Sequence, residues 1–559
     1  MGLYLLDYGA GNVQSLANSL ISLGYTFEWI KDTSDFAKAT SLIFPGVGAF
    51  ETAISHLASR GLLQPLREYI LSGKPYFGIC IGMQVLFEAS AEASSPGLGV
   101  IPCPIQKFDD EDKSVPHMGW NTADLVNVTS SSSNEDTEGV DASSYYYFVH
   151  SFCAKYNPDL HPDAMRWVHS TTQYGQEIFV SSVRRGNVFA TQFHPEKSGK
   201  AGLALLEEWL RKPESAHTYA PSAPLVARAP KPKHNLTKRI VACMDVRAND
   251  QGDLVVTKGD QYDVREKTTA AETAGAVRNL GKPVSLAARY YQAGADELCL
   301  LNITSFRHSP LQDQPMLAVV RAAAECVFVP LTIGGGIKDS VDPDGTKRSA
   351  LEVAGAYFRA GADKVSIGSE AVYAVERFRE TGRTDRTGAI ESIAEVYGKQ
   401  AVVVSIDPRR VYVDPGTYDG PYKAELVHGQ ADGAEHERGK AWWYQCTVSG
   451  GRESRPLSAV QLARGVEQLG AGEILVNSID RDGTGLGFDL ALVNLIKKSV
   501  KIPVVASSGA GAAAHFVDVF NGTEVEAALA AGIFHREEVG IAEVKQQMKA
   551  AGINVRDSA

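Results

Sequence analysis

From Lys238 onward, three stretches of this 559-residue chain recur in the same order. IVACMDV (240–246) corresponds to VVVSIDP (402–408), AGADELCLLNIT (293–304) to LGAGEILVNSID (469–480), and VPLTIGGGI (329–337) to IPVVASSGAG (502–511). Buried parallel strands resemble one another through their apolar residues alone. The ordered return of Asp and Gly at matching places needs a further reason, which duplication supplies. Two half-units of about four βα modules each close an eight-stranded barrel. The expected fold of residues 238–559 is therefore a (β/α)8 barrel.

Residues 1–212 follow a different plan. Leu3–Leu6, Ser41–Phe44 and Tyr76–Ile79 read as buried strands, each followed by a glycine turn. Alternation with helical patterns predicts an open, mostly parallel α/β sheet. The Ser-, Glu- and Asp-rich stretch within 129–143 reads as a surface insertion. PESAHTYAPSAPLVARAPKPKHN opens a proline-rich linker over 213–237, extended in itself or laid along the surface. Residues 339–350 and 412–442 lack clear periodicity and read as insertions into the barrel. The second stands beside Asp407 and serves equally well as a cover for a site or as a variable surface loop.

Composition removes several function classes. The net charge of −11 argues against a nucleic-acid partner, which needs a basic face. No apolar run is long enough for a membrane span. Seven cysteines, odd in number and without a CxxC pair, predict a reducing compartment. Met1 runs at once into a strand-like segment, so no targeting peptide and a cytosolic location are expected. No metal spacing and no cofactor motif is evident.

GICIGMQ (78–84) places Cys80 at a strand-to-helix turn flanked by Gly78 and Gly82. That is a nucleophile elbow carrying cysteine, with a helix start that favours thiolate. QFHPEKS (192–198) follows another apolar strand and offers His194 and Glu196 two residues apart, on one side of an extended segment. His194 can move a proton between Cys80 and a leaving group, and Glu196 can hold the imidazole tautomer. In FPGVGAF (44–50), backbone N–H groups at Val47–Gly48, with that of Ile81, suit an oxyanion hole.

In the barrel, Asp245 and Asp407 are expected to end corresponding strands, where catalytic groups of such barrels lie. Two carboxylates across one mouth suit general acid and base work. Strand-end Asp is also a frequent helix cap. The glycine loops 334–336 and 508–511 present bare amides at matching positions, which suits a substrate with a phosphate at each end.

YGAGN (8–12), PGVGAF, GICIGMQ, PHMGWN (116–121), YFVHS (147–151) and QFHPEKS together resemble the class I glutamine amidotransferase domain of imidazole glycerol phosphate synthases. KRIVACMDV, VVTKG (255–259), LTIGGGIKD, GADKVSIGS, GAGEILVNSIDRDGTGLGFD and AGINVR (551–556) resemble the cyclase half of the same family. The resemblance implies a Cys80–His194–Glu196 triad and glutamine contacts from Gly48, Gln84 and Ser151. His117, inside PHMGWN, could suggest a catalytic role but reads as structural. Asp245 and Asp407 carry over as acid and base. Lys258, Gly336, Ser366, Gly368, Ser369, Asn477, Asp482, Gly483, Gly509, Ala531 and Gly532 carry over as substrate or phosphate contacts. Asn302 stands where Asp is often found, Gly368–Ser369 replaces Asn-Thr, and Ser508 replaces Gly.

The implied substrates are glutamine and phosphoribulosyl formimino aminoimidazole carboxamide ribonucleotide. The products are imidazole glycerol phosphate, aminoimidazole carboxamide ribonucleotide and glutamate. The resemblance also implies a charged ring of Arg239, Glu297, Lys364 and Glu473 on the barrel's N-terminal face, and an inter-domain pair of Lys197 with Asp363. A single chain acting as a monomer is expected to channel ammonia and to keep glutamine hydrolysis low until the barrel is occupied. A sugar-phosphate isomerase barrel fused to a glutaminase would have no use for ammonia. A non-catalytic homologue would not need Cys80, His194 and both Asp residues.

Overall fold

The computed structural model describes all residues except 1, 10, 47, 127–136, 249–253, 258–281, 304–313, 342–344, 385, 431–434, 436 and 558–559. Val47 and Lys258 lie outside the described residues. Among the described residues, no helix is long and apolar enough to cross a membrane.

The first half is built on an eight-stranded sheet. At its centre lie the parallel strands Leu3–Leu6, Ser41–Phe44, Tyr76–Ile79 and Val188–Thr191. All four residues of Tyr76–Ile79 are buried, as expected for a parallel strand covered on both faces. Antiparallel strands Glu177–Arg185 and Val168–Tyr174 extend one side.

In the second half, strands Arg239–Ala248, Glu297–Asn302, Leu331–Gly334, Lys364–Ile367, Val402–Ile406, Glu473–Asn477, Val504–Ser507 and Ala527–Ala530 pair in sequence order. The last also pairs with the first, so the barrel closes. Two of its helices carry full start and stop signals. Ser349 and Ser458 form capping boxes with Glu352 and Gln461, and Gly361 and Gly470 end those helices in the left-handed conformation.

Alternation along the strands turns one face of each into the barrel lumen. Arg239, Val241, Cys243 and Asp245 therefore stack along the barrel axis. Val241, Cys243, Cys299, Val403, Leu475, Val505, Ala527 and Leu529 form one separate apolar cluster. Arg239 and Asp245 are six residue steps apart, a span of about 20 Å at the usual rise.

The first half docks on the barrel's N-terminal face. Trp120 Nε1 donates to Asp296 O (3.1 Å), Val115 N to Lys501 O (3.0 Å), and Asn12 Nδ2 to Gly361 O (3.0 Å). Each of those acceptors lies shortly before the start of a barrel strand. The Arg556 guanidinium, from the chain's C-terminal end, stacks 4.0 Å from the Trp120 ring.

One open alternative is decided, and three sequence expectations need correction. Linker 213–237 is laid along the first half: Ser222 N donates to Arg166 O (2.8 Å), Lys231 N to Gln173 Oε1 (2.8 Å) and Thr237 N to Trp120 O (2.9 Å). The described part of the 129–143 insertion is anchored by buried Glu138, which meets Lys212 Nζ at 2.7 Å and Tyr219 Oη at 3.0 Å.

The 412–442 stretch belongs to a small antiparallel sheet in which Pro408–Val413 pairs with Ala441–Val448. Its signal, the almost wholly buried, aromatic-rich strand Ala441–Val448, lies at and beyond the end of that stretch. Asp245 does not end its strand. Arg239–Ala248 continues past it to pair with Leu254–Thr257, opposing Asp245 to Thr257.

Candidate active sites and the path between them

Cys80 follows the central strand Tyr76–Ile79 with φ 50° and ψ −100°. A non-glycine residue held there costs about 1–3 kcal/mol, a strain typical of functional turns. Close packing enforces the turn. A Cβ on Gly82 would lie 2.2 Å from Phe44 O, so the helix start can approach the neighbouring strand only with glycine there. The helix that follows, Ile81–Gln84, is a single turn. Its end is a weaker source of thiolate stabilisation than the sequence suggested.

His194 stands beyond the adjacent strand, Val188–Thr191, whose Thr191 O accepts from Cys80 N (2.7 Å). Its Nδ1 is 2.8 Å from Glu196 Oε1. The segment is not extended there. Pro195–Lys197 forms a 3-10 turn, and Glu196 reaches the ring by folding back. The remaining ring nitrogen, Nε2, is buried and, among the described residues, has no hydrogen-bond partner other than Cys80. Burial opposes charge on this ring most strongly, but Glu196 and then Cys80 outweigh it and push His194 up to about 10. The arrangement thus favours an imidazolium between two anions, the state needed beside a thiolate.

Gly48 borders this site with φ 146°. A Cβ there would lie 2.6 Å from the hydroxyl of buried Tyr8, so glycine is required. Ile81 is buried next to Cys80. Gln84 Nε2 donates to Phe152 O and to Gln192 Oε1, both at 3.0 Å. Ser151 sits at the turn before Phe152, its carbonyl accepting from Phe108 N (3.0 Å). His117 lies in the core, bonded to His150 Nε2 (3.2 Å) and packed against Tyr174.

Arg239, Glu297, Lys364 and Glu473 are each the first residue of a barrel strand. They close a buried ring of alternating sign. Arg239 meets Glu297 at 2.7 Å and also pairs with Glu473; Lys364 meets Glu297 at 2.6 Å and Glu473 at 2.7 Å. Burial works against the Glu473 charge, but Arg239 and Lys364 prevail and hold its carboxyl below the usual range. Lys364 Nζ also lies 3.6 Å from Met118 Sδ of the docked half. Lys197 Nζ reaches Asp363 Oδ2 at 2.7 Å, next to the ring.

At the opposite end of the barrel, Asp407 follows Val402–Ile406. Asn477 Nδ2 bridges its Oδ1 and Ser405 Oγ, both at 2.9 Å. Burial pushes the Asp407 carboxyl up and outweighs the Asn477 bond, with nearby Asp482 adding to the rise. Asp245 lies on the lumen face of its own strand at the same end.

Gly336, Gly483 and Gly509 all have positive φ in loops after barrel strands. Gly487 N donates to Gly509 O (2.8 Å), and Ser508 takes φ 72° where glycine would be unstrained. Ser366 and Gly368 stand at the end of Lys364–Ile367, and Ser369 Oγ accepts from Ser449 N (3.0 Å). Ala531 caps the short helix Gly532–His535.

Three residues escaped the sequence reading. Asn12, inside YGAGN, donates to Asp363 Oδ1 (2.8 Å). Tyr147 O accepts from His194 N (2.9 Å), and its ring extends into the field of Glu297, Arg239 and Glu473, with a buried hydroxyl that has no hydrogen-bond partner among the described residues. Gln192 Nε2 contacts Cys80 Sγ. All three lie within recognised motifs, but only the folded chain reveals what they face.

Comparison with known proteins accounts for this pairing of sites. The family model for glutamine amidotransferase class-I matches residues 4–212, and that for histidine biosynthesis protein matches residues 239–540. The chain is 52% identical over 556 residues to the imidazole glycerol phosphate synthase hisHF of Emericella nidulans, covering 99% of this chain and 98% of that one. The chain belongs to the imidazole glycerol phosphate synthase hisHF family. The Schizosaccharomyces pombe hisHF is 50% identical, with 99% of each chain covered. The Arabidopsis thaliana hisHF, described as chloroplastic, is 51% identical, with 99% of this chain and 89% of that one covered. As a hisHF protein, the chain is a bifunctional enzyme of histidine biosynthesis, with glutamine amidotransferase and cyclase parts in one polypeptide.

Proposed function

We propose that Cys80, His194 and Glu196 hydrolyse glutamine, and that the ammonia crosses the barrel to a reaction at Asp245 and Asp407. The observation that carries this reading is the lumen-facing series Arg239, Val241, Cys243, Asp245. It leads from the face where the first half docks, through an apolar layer, to the carboxylates at the mouth.

The Cys80 thiolate attacks the glutamine δ-carbonyl, and amides near Gly48 and Ile81 receive the oxyanion. His194 protonates the departing nitrogen, ammonia leaves, and water hydrolyses the thioester to glutamate. Gln84 and Ser151 orient the substrate. An apolar lumen suits neutral ammonia and disfavours ammonium, which would leave its solvation behind.

Phosphoribulosyl formimino aminoimidazole carboxamide ribonucleotide is the acceptor. Its two phosphates bind at the glycine loops, one around Gly336, Ser366, Gly368 and Ser369, the other around Gly509, Ala531 and Gly532. Lys258, Asn477, Asp482 and Gly483 complete the contacts. Asp407, with a carboxyl biased toward protonation, serves as the acid, and Asp245 as its counterpart. No cofactor is required. The chain works as a monomer, and seven unpaired cysteines support a cytosolic setting.

The test is formation of imidazole glycerol phosphate from glutamine or from ammonium salt by wild type and Cys80→Ala. The variant is expected to lose only glutamine-driven turnover. A wild type that forms product from neither nitrogen source overturns the cyclase assignment.

A further inference from the structure

We propose that Gln192 is a catalytic residue of the glutaminase site, donating an amide hydrogen bond that stabilises the Cys80 thiolate. The proposal rests on the triad reading above and adds a fourth group to it. Gln192 Nε2 lies 3.4 Å from Cys80 Sγ, within the range for a bond to sulfur, and the Gln192 side chain is fully buried.

The orientation of a carboxamide decides whether it helps or hinders a thiolate: its NH2 end donates to sulfur, while its oxygen would repel the charge. Here the surrounding bonds determine that orientation. Phe152 O can only accept, so the end of Gln84 that meets it at 3.0 Å is the NH2. That same NH2 gives its other hydrogen to Gln192 at 3.0 Å, so the end of Gln192 facing Gln84 is the oxygen. The NH2 of Gln192 therefore faces Cys80 Sγ. The chain continues behind Phe152 O, which also accepts from His150 Nδ1 (2.8 Å). The Gln192 backbone is tied down as well, its N–H donating to Ser181 O (2.8 Å).

This donor has a specific electrostatic place. His194 approaches the sulfur from the triad side and must move a proton during turnover. Gln192 has no proton to exchange and holds its bond throughout. The single-turn helix after Cys80 supplies little stabilisation, so a fixed side-chain donor has a larger share. Stabilising the thiolate raises its population and makes it a better leaving group when the first adduct reverts or the thioester is hydrolysed. It also lowers the intrinsic nucleophilicity of each thiolate by a smaller factor. For attack by the sulfur the net gain is greatest near neutral pH and reverses where the thiol is already ionised.

The full chain carrying Gln192→Leu or Gln192→Glu is tested in three assays: pH-dependent alkylation of Cys80 by iodoacetamide, read on the Cys80 peptide by mass spectrometry; glutamine hydrolysis; and ammonia-driven synthesis. In Gln192→Leu, the pH of half-maximal alkylation is expected to rise by about one unit, the size of a lost bond to a charged group. Alkylation and glutamine hydrolysis at pH 7 fall several-fold, while at high pH the variant's alkylation rate crosses wild type and exceeds it by about two- to threefold. Gln192→Glu moves further in the same direction, because a carboxylate faces the sulfur.

Ammonia-driven synthesis, retained in both variants, reports an intact fold. If the leucine variant loses it, the near-isosteric glutamate variant decides. An alkylation profile that superimposes on wild type overturns the proposal, even if glutamine hydrolysis has fallen, because Gln192 would then act on Gln84 and substrate instead. The triad reading fails separately, if alkylating Cys80 in wild type leaves glutamine-driven turnover intact.

Discussion

Lys197 Nζ lies 2.7 Å from Asp363 Oδ2, joining a residue three positions beyond His194 to the residue immediately before Lys364 of the charged ring. Asp363 also accepts from Asn12 Nδ2 and from Leu331 N, both at 2.8 Å, so the carboxylate is fixed from both halves of the molecule. The pair is buried on the lysine side and ties the glutaminase loop to the barrel strand that carries Lys364. A displacement of this contact moves His194 and the ring relative to each other.

Removing one partner of a buried ion pair leaves an uncompensated charge, at a cost of about 3–5 kcal/mol. Lys197→Glu places two carboxylates together and is expected to raise the ratio of glutamate released to imidazole product above one. Ammonia-driven synthesis should stay near wild type. The ratio comes from assaying both products in one reaction, and a ratio still at one would rule out the aligning role.

Cys299 faces the lumen opposite Cys243. Cys299→Phe is expected to obstruct the apolar layer. Glutamine would still be hydrolysed and ammonium salt would still support synthesis, while glutamine-driven product falls at least tenfold. Unchanged glutamine-driven synthesis would mean that ammonia takes another route.

Asp407→Asn is expected to lower synthesis from both nitrogen sources by about 10²–10⁴-fold, the usual range for a general acid or base. The Cys80 site lies at the other end of the barrel, so basal glutamine hydrolysis should not change. A variant retaining more than a tenth of wild-type ammonia-driven turnover would remove Asp407 from the chemistry.

Acid should destabilise the first half and the linker packed on it through their buried histidines. Burial holds His150 down to about 3 and His217 down to about 4, against about 6.5 for a free imidazole. Below pH 6.5 the unfolded chain takes up protons that the native chain refuses, so stability is fullest above that value and falls as pH drops toward 4. The urea midpoint should decline from pH 7 to 4.5, and less steeply in His217→Gln. An identical slope in that variant would exclude His217 as a contributor.

Much of the architecture was legible because strand and turn chemistry is local. The eight barrel strands follow from apolar runs that alternate with helices, and the duplicated Asp and Gly positions follow from their order. Cys80 could be singled out because glycines on both sides permit a turn that few sequences tolerate. His194 and Glu196 stood together in one motif.

The 412–442 stretch was misread because its cross-strand partner, Ala441–Val448, lies mostly outside it; a sheet is a relation between distant segments. Which end of Gln192 meets Cys80 depends on the acceptor Phe152 O and the donor Gln84 Nε2, each far from it in the chain. The sequence alone marked which residues could be nucleophile, base and acid, since those roles depend on side-chain chemistry and local turns, while the charged ring came only from the family resemblance. Only the tertiary structure decided what each one faces. The charge on His194, the bias of Asp407 and the closure of the ring are set by burial and by neighbours brought together when the sheet and barrel form.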